Sequence, residues 1–207
     1  MQTYNELFQD AIALSKKLDL DEITASLDGK KLIAEWLMYE LGPKIAENFS
    51  REGFVRFMNA PQSSIRLHHL FQPVVDELLN VKTVFTTGFV TVPNDAKEVE
   101  DFGQLSEEAI AEALKEGKIP EKIHTWLTLP SGEIIDLAFM TIYAALYHEE
   151  SLIGNIVAKH ADELTGGMVY TPQLVGEKFY EKCNFDFRID FPRFEKDEEN
   201  EETGEEA

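Results

Sequence analysis

The sequence predicts an α+β fold in which a central helix lies against an antiparallel sheet, with further helices at the N-terminus. Three observations carry that prediction. The first 60 residues show apolar side chains at helical spacing, residues 64–80 show one long apolar stripe, and the segments that follow are rich in β-branched and aromatic residues broken by turn signals.

Leu7, Ala11, Leu14 and Leu18 place a first helix over residues 4–18. Leu32, Ile33, Trp36, Leu37 and Tyr39 place a second over Lys30–Leu41, stopped by Gly42-Pro43, and Pro43 is suited to open a third that runs to about Phe57. Their apolar stripes suggest that these three pack together as a helical part spanning residues 1–58. The central helix follows, with Leu67, Leu70, Phe71, Val74, Val75 and Leu78 on one stripe and Pro73 expected to kink or split it. Val81–Val92 reads as a strand with Gly88 at a bend or bulge. A polar excursion over NDAKEVEDFGQ comes next, then a helix over Ser106–Glu116 with Ser106 as its N-cap.

EKIHTWLTL and EIIDLAFM flank Pro130-Ser131-Gly132, a triplet suited to a three-residue hairpin with Gly132 in the left-handed position. That register sets Leu129 opposite Glu133, His124 opposite Ala138 and Trp126 opposite Asp136. Leu127, Leu129, Ile135, Leu137 and Phe139 then share one apolar face, while His124, Trp126, Thr128, Ile134 and Asp136 share the other. His124 and Asp136 become diagonal neighbours within side-chain reach. Met140–Leu146 is open to strand or helix, 152–164 is mixed, and Val169-Tyr170 is a short strand. A folded α+β part is therefore expected over residues 59–194.

Residues 195–207, EKDEENEETGEEA, hold eight acids and one lysine and read as a disordered acidic tail. The formal charge of −20 falls to about −13 without it. An acidic surface disfavours binding to nucleic-acid phosphates, although charge alone is also compatible with mimicry of DNA. The single Cys183 forms no intramolecular disulfide and fits a reducing compartment. The N-terminus lacks the apolar core of a secretory signal, and no run is long enough to span a bilayer, so a cytoplasmic protein without membrane partners is expected. The oligomeric state is not legible.

A histidine oriented by a carboxylate is a general-base unit, which gives His124 and Asp136 a chemical reading beside the structural one of a satisfied buried pair. Ser63 and Ser64 stand where they can cap the central helix. Trp126 suits the core or a pocket wall, and Cys183 an inert buried thiol. His68 and His69 are adjacent and point about 100° apart, a poor geometry for one metal ion. His148-Glu149-Glu150 lacks the second histidine of a zinc-protease helix. Gly166-Gly167 has no following Lys-Ser or Lys-Thr of a phosphate loop. No metal site and no cofactor are expected.

His124-Thr125-Trp126, Gly132, Ile134-Ile135-Asp136 and the stretch LLNVKTVFTTGFV together resemble the transglutaminase-like and papain-like cysteine protease superfamily over about residues 60–140. The resemblance implies a nucleophile heading the central helix, with histidine and aspartate supplied by the sheet. This chain departs from the pattern in having no cysteine at that place; the position falls on Ser64, with Ser63 beside it. The resemblance therefore implies a hydrolase or acyltransferase with Ser64 as nucleophile, His124 as base and Asp136 as orienter, and with Ser63 and Trp126 as pocket residues. The missing thiol equally implies a non-catalytic relative that binds a peptide or small ligand in the same cleft. An acidic interaction protein is the third reading.

Overall fold

The computed structural model describes residues 2–20, 23–32, 35–93 and 99–189. The expected acidic tail lies outside them. Among the described residues, seven α-helices and an antiparallel sheet form a mixed α+β structure. Helix α1 (Tyr4–Lys17) opens with a capping box in which Thr3 and Glu6 each satisfy the other's main chain. It is followed by α2 (Glu35–Asn48), α3 (Arg51–Met58) and the central α4 (Ser63–Leu79).

Two prolines behave differently from expectation. Pro43 lies inside α2 rather than opening a new helix, and Pro73 lies inside an unbroken α4. A proline removes the hydrogen bond to the carbonyl four residues earlier. Those carbonyls belong to Tyr39, whose residue is 76% exposed, and to His69, whose side chain is 42% exposed. Both therefore sit on faces where water can replace the lost donor.

Strand β1 (Val84–Pro93) is the centre of the sheet. One edge pairs with β3 (His124–Thr128) through Val84–Gly88 and, farther along, with β2 (Val99–Phe102). The other edge pairs with β6 (Val169–Val175), with the register shifting at Thr87/Gly88 where Pro172, which has no N–H to offer, sits opposite. An irregularity thus falls at Gly88 as expected, but the extra residue is Gln173 on the partner strand. β2 falls in the segment read as a polar excursion. β3 continues through β4 (Glu133–Asp136) to β5 (Val157–His160). Helix α5 (Glu107–Glu116) has Ser106 as its N-cap, α6 (Phe139–Tyr147) follows the hairpin, and α7 (Lys178–Lys182) is a short terminal turn.

The hairpin register is the expected one. Leu127 pairs with Ile135 and Thr128 with Ile134, and the Leu129 N–H donates to the Glu133 carbonyl at 2.8 Å. Both sheet faces are covered, so every residue of β3 and β4 is buried. Leu127, Leu129, Ile135 and Leu137 join α2, α3 and α4 in one core. Trp126 and Ile134 join α1 in the other. The three N-terminal helices thus do not share one core: α1 packs on β6 across the sheet from α2 and α3. Phe139 also changes face, because α6 begins there and the two-residue alternation of the strand ends. Among the described residues no helix is long and apolar enough to cross a membrane.

Candidate functional site: a buried carboxylate between two histidines

Asp136 ends β4 and is fully buried. A carboxylate there needs several donors, and it has them. The main-chain N–H groups of Ala138 and Phe139 donate to Oδ1 at 2.8 and 2.9 Å, so Asp136 caps the first turn of α6. The Tyr170 hydroxyl donates to Oδ2 at 2.9 Å, and His124 Nε2–H donates to the same oxygen at 2.6 Å. Burial alone raises the Asp136 pKa, but the His124 charge and hydrogen bond, with help from His68 and the Phe139 amide, outweigh it and hold the carboxyl well below its usual range.

His68 reaches the same carboxylate from α4. Its Nε2 lies 3.5 Å from Asp136 Oδ1, but this is not an ion pair. Nε2 accepts the Leu137 N–H at 2.9 Å, while Nδ1 faces the Ser64 carbonyl at 2.7 Å and Thr125 Oγ1 at 3.3 Å. A ring that accepts at Nε2 and donates at Nδ1 is neutral. Complete burial pushes the His68 pKa down to about 4, against the opposing pull of Asp136. His68 therefore ties the central helix to the hairpin with both nitrogens used.

His124 is different. Its Nε2 is committed to Asp136, and its Nδ1 has no partner among the described residues. The Ser64 hydroxyl likewise has none there. No fully buried side-chain nitrogen or oxygen among the described residues lacks a partner, so these two open atoms are where their residues touch solvent. The openings are narrow: the His124 side chain is 4% exposed, and Ser64 is 2% exposed. Ser64 lies one helical turn before His68 on the face of α4 that packs on β3. No hydrogen bond joins its hydroxyl to His124.

The serines do not cap α4. Gln62 holds the N-cap position in a left-handed conformation, with its side-chain amide turned to the carbonyls of Ile119 and Pro120. The Ser63 hydroxyl donates to the Met58 carbonyl at 3.0 Å, tying α4 to the end of α3. Trp126 is fully buried, and its indole N–H donates to the Tyr4 hydroxyl at 2.7 Å. Its ring meets Tyr170 edge-to-face at 5.0 Å and lies 6.0 Å from the His124 ring. None of Ser63, Ser64, His124, Trp126 and Asp136 lines any of the described cavities.

Gly103, just past β2, presses on the site from outside. It has φ +94°, and a Cβ there would come 2.6 Å from His124 Cβ and 2.7 Å from its main-chain nitrogen. Only glycine lets the chain approach His124 this closely. Cys183 is buried, its thiol faces the Ala113 carbonyl at 3.4 Å, and burial pushes its pKa up, which suits an inert thiol. Among the described residues no His, Cys, Asp and Glu group could hold a metal ion.

The sequence brought His124, Asp136 and Ser64 to notice. Tyr170 and His68 were missed as members of the network. A mid-helix histidine among apolar neighbours is a visible signal for the second. Nothing in the sequence says which strand Tyr170 will pair with.

Comparison of the chain with protein-family models, with curated proteins and with solved structures finds no match.

Proposed function

We propose that the chain has a transglutaminase-like or papain-like core and acts as a hydrolase or acyltransferase on an amide, ester or thioester. Ser64 is the nucleophile, His124 the general base and Asp136 its orienter. The contrast between the two buried histidines carries this reading: His68 spends both nitrogens on the fold, whereas His124 is aligned by a fixed carboxylate and keeps one nitrogen open. A purely structural pair gains nothing from that open nitrogen.

In the first half-reaction the Ser64 oxygen attacks the acyl carbon while its proton passes to His124 Nδ1. Asp136 stabilises the imidazolium so formed. The Ser64 main-chain N–H lies in the first turn of α4, where helix amides lack intrahelical partners and the dipole favours the developing oxyanion. The imidazolium then returns its proton to the leaving group, and an acyl-serine remains. Water or an acceptor nucleophile, deprotonated by His124, releases the acyl group and restores the hydroxyl. In the free protein no hydrogen bond joins the two residues, and His124 shares its sheet face with Trp126 while α4 packs on the Leu127 face, so these steps require substrate binding to bring the Ser64 hydroxyl and His124 Nδ1 together around the first residue of β3.

The test is labelling with a fluorophosphonate, followed by peptide mass analysis. The expected adduct is on Ser64, and it disappears in folded Ser64→Ala and His124→Ala variants. No adduct on folded wild-type protein under saturating reagent contradicts the enzyme reading. The narrow openings at both residues and the absence of the family's thiol favour a second reading, a non-catalytic relative that binds a peptide or small ligand at the same place.

A further inference from the structure

The largest of the described cavities, about 590 Å³, lies at the far end of the sheet from His124. Pro130, on its wall, is six residues along from His124, which places the two about 20 Å apart at the rise of an extended strand. Its volume is in the range that holds a small ligand or a few residues of peptide.

One wall is formed by Ile23, Thr24, Ala25 and Ser26, in a segment that belongs to no strand. Its exposure nevertheless alternates: Ile23, Ala25 and Leu27 are half-buried against the α1 core, while Thr24 and Ser26 are exposed. That is the period of an extended chain. In an extended chain the main-chain polar groups of successive residues point to opposite edges. The Ala25 carbonyl accepts the Gln9 side-chain amide from α1 at 3.0 Å, so its edge faces α1, where a smaller cavity is lined by Gln9, Ile12 and Lys16 together with residues 23–26. The main-chain groups of Thr24 and Ser26 therefore face the opposite edge, on the side of the large cavity that both residues line. Among the described residues they have no partner.

The cavity is also lined by Val84 and Phe85 at the start of β1 and by four charged residues: Glu177 pairs with His69, the Lys178 amine donates to the Leu20 carbonyl, and the remaining two are Lys82 and Glu181. Neither of these has an ion-pair partner among the described residues. An unpaired strand edge, an apolar opposite wall and one free charge of each sign define a recognition chemistry.

We propose that this cavity binds an extended peptide segment carrying one acidic and one basic side chain, which pairs as an added strand with Thr24 and Ser26. The acidic group meets Lys82 and the basic group Glu181, while the backbone supplies the hydrogen bonds. The site is independent of the Ser64–His124 chemistry.

The test is a titration of the ¹⁵N-labelled full chain with the capped pentapeptide acetyl-Glu-Val-Thr-Val-Lys-amide. Saturable shifts of the Thr24, Ser26, Val84 and Phe85 amides are expected, and they persist in Ser64→Ala. Methylating the two peptide amides that face the segment, which removes its donors and leaves its charges, weakens binding at least tenfold. Ser26→Pro, which removes one cavity-facing N–H where the native fold uses none, weakens it similarly at unchanged melting temperature. The proposal is overturned by no saturable shift at millimolar peptide, by shifts confined to other surfaces, or by equal affinity of the methylated peptide.

Discussion

Replacing Asp136 by alanine removes the acceptor of four donors at once: His124 Nε2–H, the Tyr170 hydroxyl and the amides of Ala138 and Phe139. Hydrogen bonds to a charged group contribute about 1.5–3 kcal/mol each, and an orphaned buried donor costs about 1–3 kcal/mol. The two amides head α6, where water entering the vacated space can reach them, so the larger loss comes from His124 and Tyr170. The expected destabilisation is about 4 kcal/mol, in the range seen when one partner of a buried charged pair is removed. For a chain of this size that lowers Tm by about 8–16 °C. Asp136→Asn keeps the shape and one oxygen for the α6 amides but turns an NH₂ toward His124. The imidazole answers by accepting at Nε2 and moving its proton to Nδ1, so this variant costs about 2 kcal/mol and loses the proposed base function. Urea unfolding at pH 7 measures both variants. A loss below about 1 kcal/mol for Asp136→Ala refutes the four-donor account of this site.

The other predictions concern pH, sterics and the thiol. His68 has a folded pKa pushed down to about 4 from 6.5, so the unfolded chain takes a proton first as pH falls. Stability is therefore undiminished above pH 6.5 and is lost progressively from there to about pH 4, by about 3 kcal/mol; unfolding of His68→Asn should lack that slope. Asp136, whose folded pKa is depressed, adds a further loss only below its usual range near pH 4. Gly103→Ala forces a Cβ onto His124 and an unfavourable φ, and should cost about 2–3 kcal/mol while shifting the His124 ring resonances. Cys183 should react with a soluble disulfide reagent no faster than the chain opens, and at full rate in denaturant.

The hairpin was legible because its information is local. A Pro-Ser-Gly turn and two alternating strands fix the register, and the register alone makes His124 and Asp136 neighbours. Ser106 and Thr3 show the same local legibility in their caps, the first anticipated and the second not. The misreadings arise where tertiary context overrides local preference. Pro43 and Pro73 read as breaks but sit where their orphaned carbonyls face water. Ser63 and Ser64 read as caps, but the chain enters α4 through a left-handed Gln62, which leaves one serine hydroxyl for Met58 and the other open. β2 was too polar to stand out, since it borrows its pairing from β1. The inward turn of Tyr170 depends on β6 joining β1 across some 80 residues, which no local pattern encodes.

Two buried histidines beside one carboxylate hold opposite tautomers, one with both nitrogens spent on the fold and one with a nitrogen left open. A long-range ¹H–¹⁵N spectrum of the imidazoles at pH 7 reads this directly. The expected spectrum has protonated Nδ1 and bare Nε2 for His68, and protonated Nε2 and bare Nδ1 for His124. A proton on His124 Nδ1, or the same tautomer in both rings, would contradict it and leave Ser64 without a base.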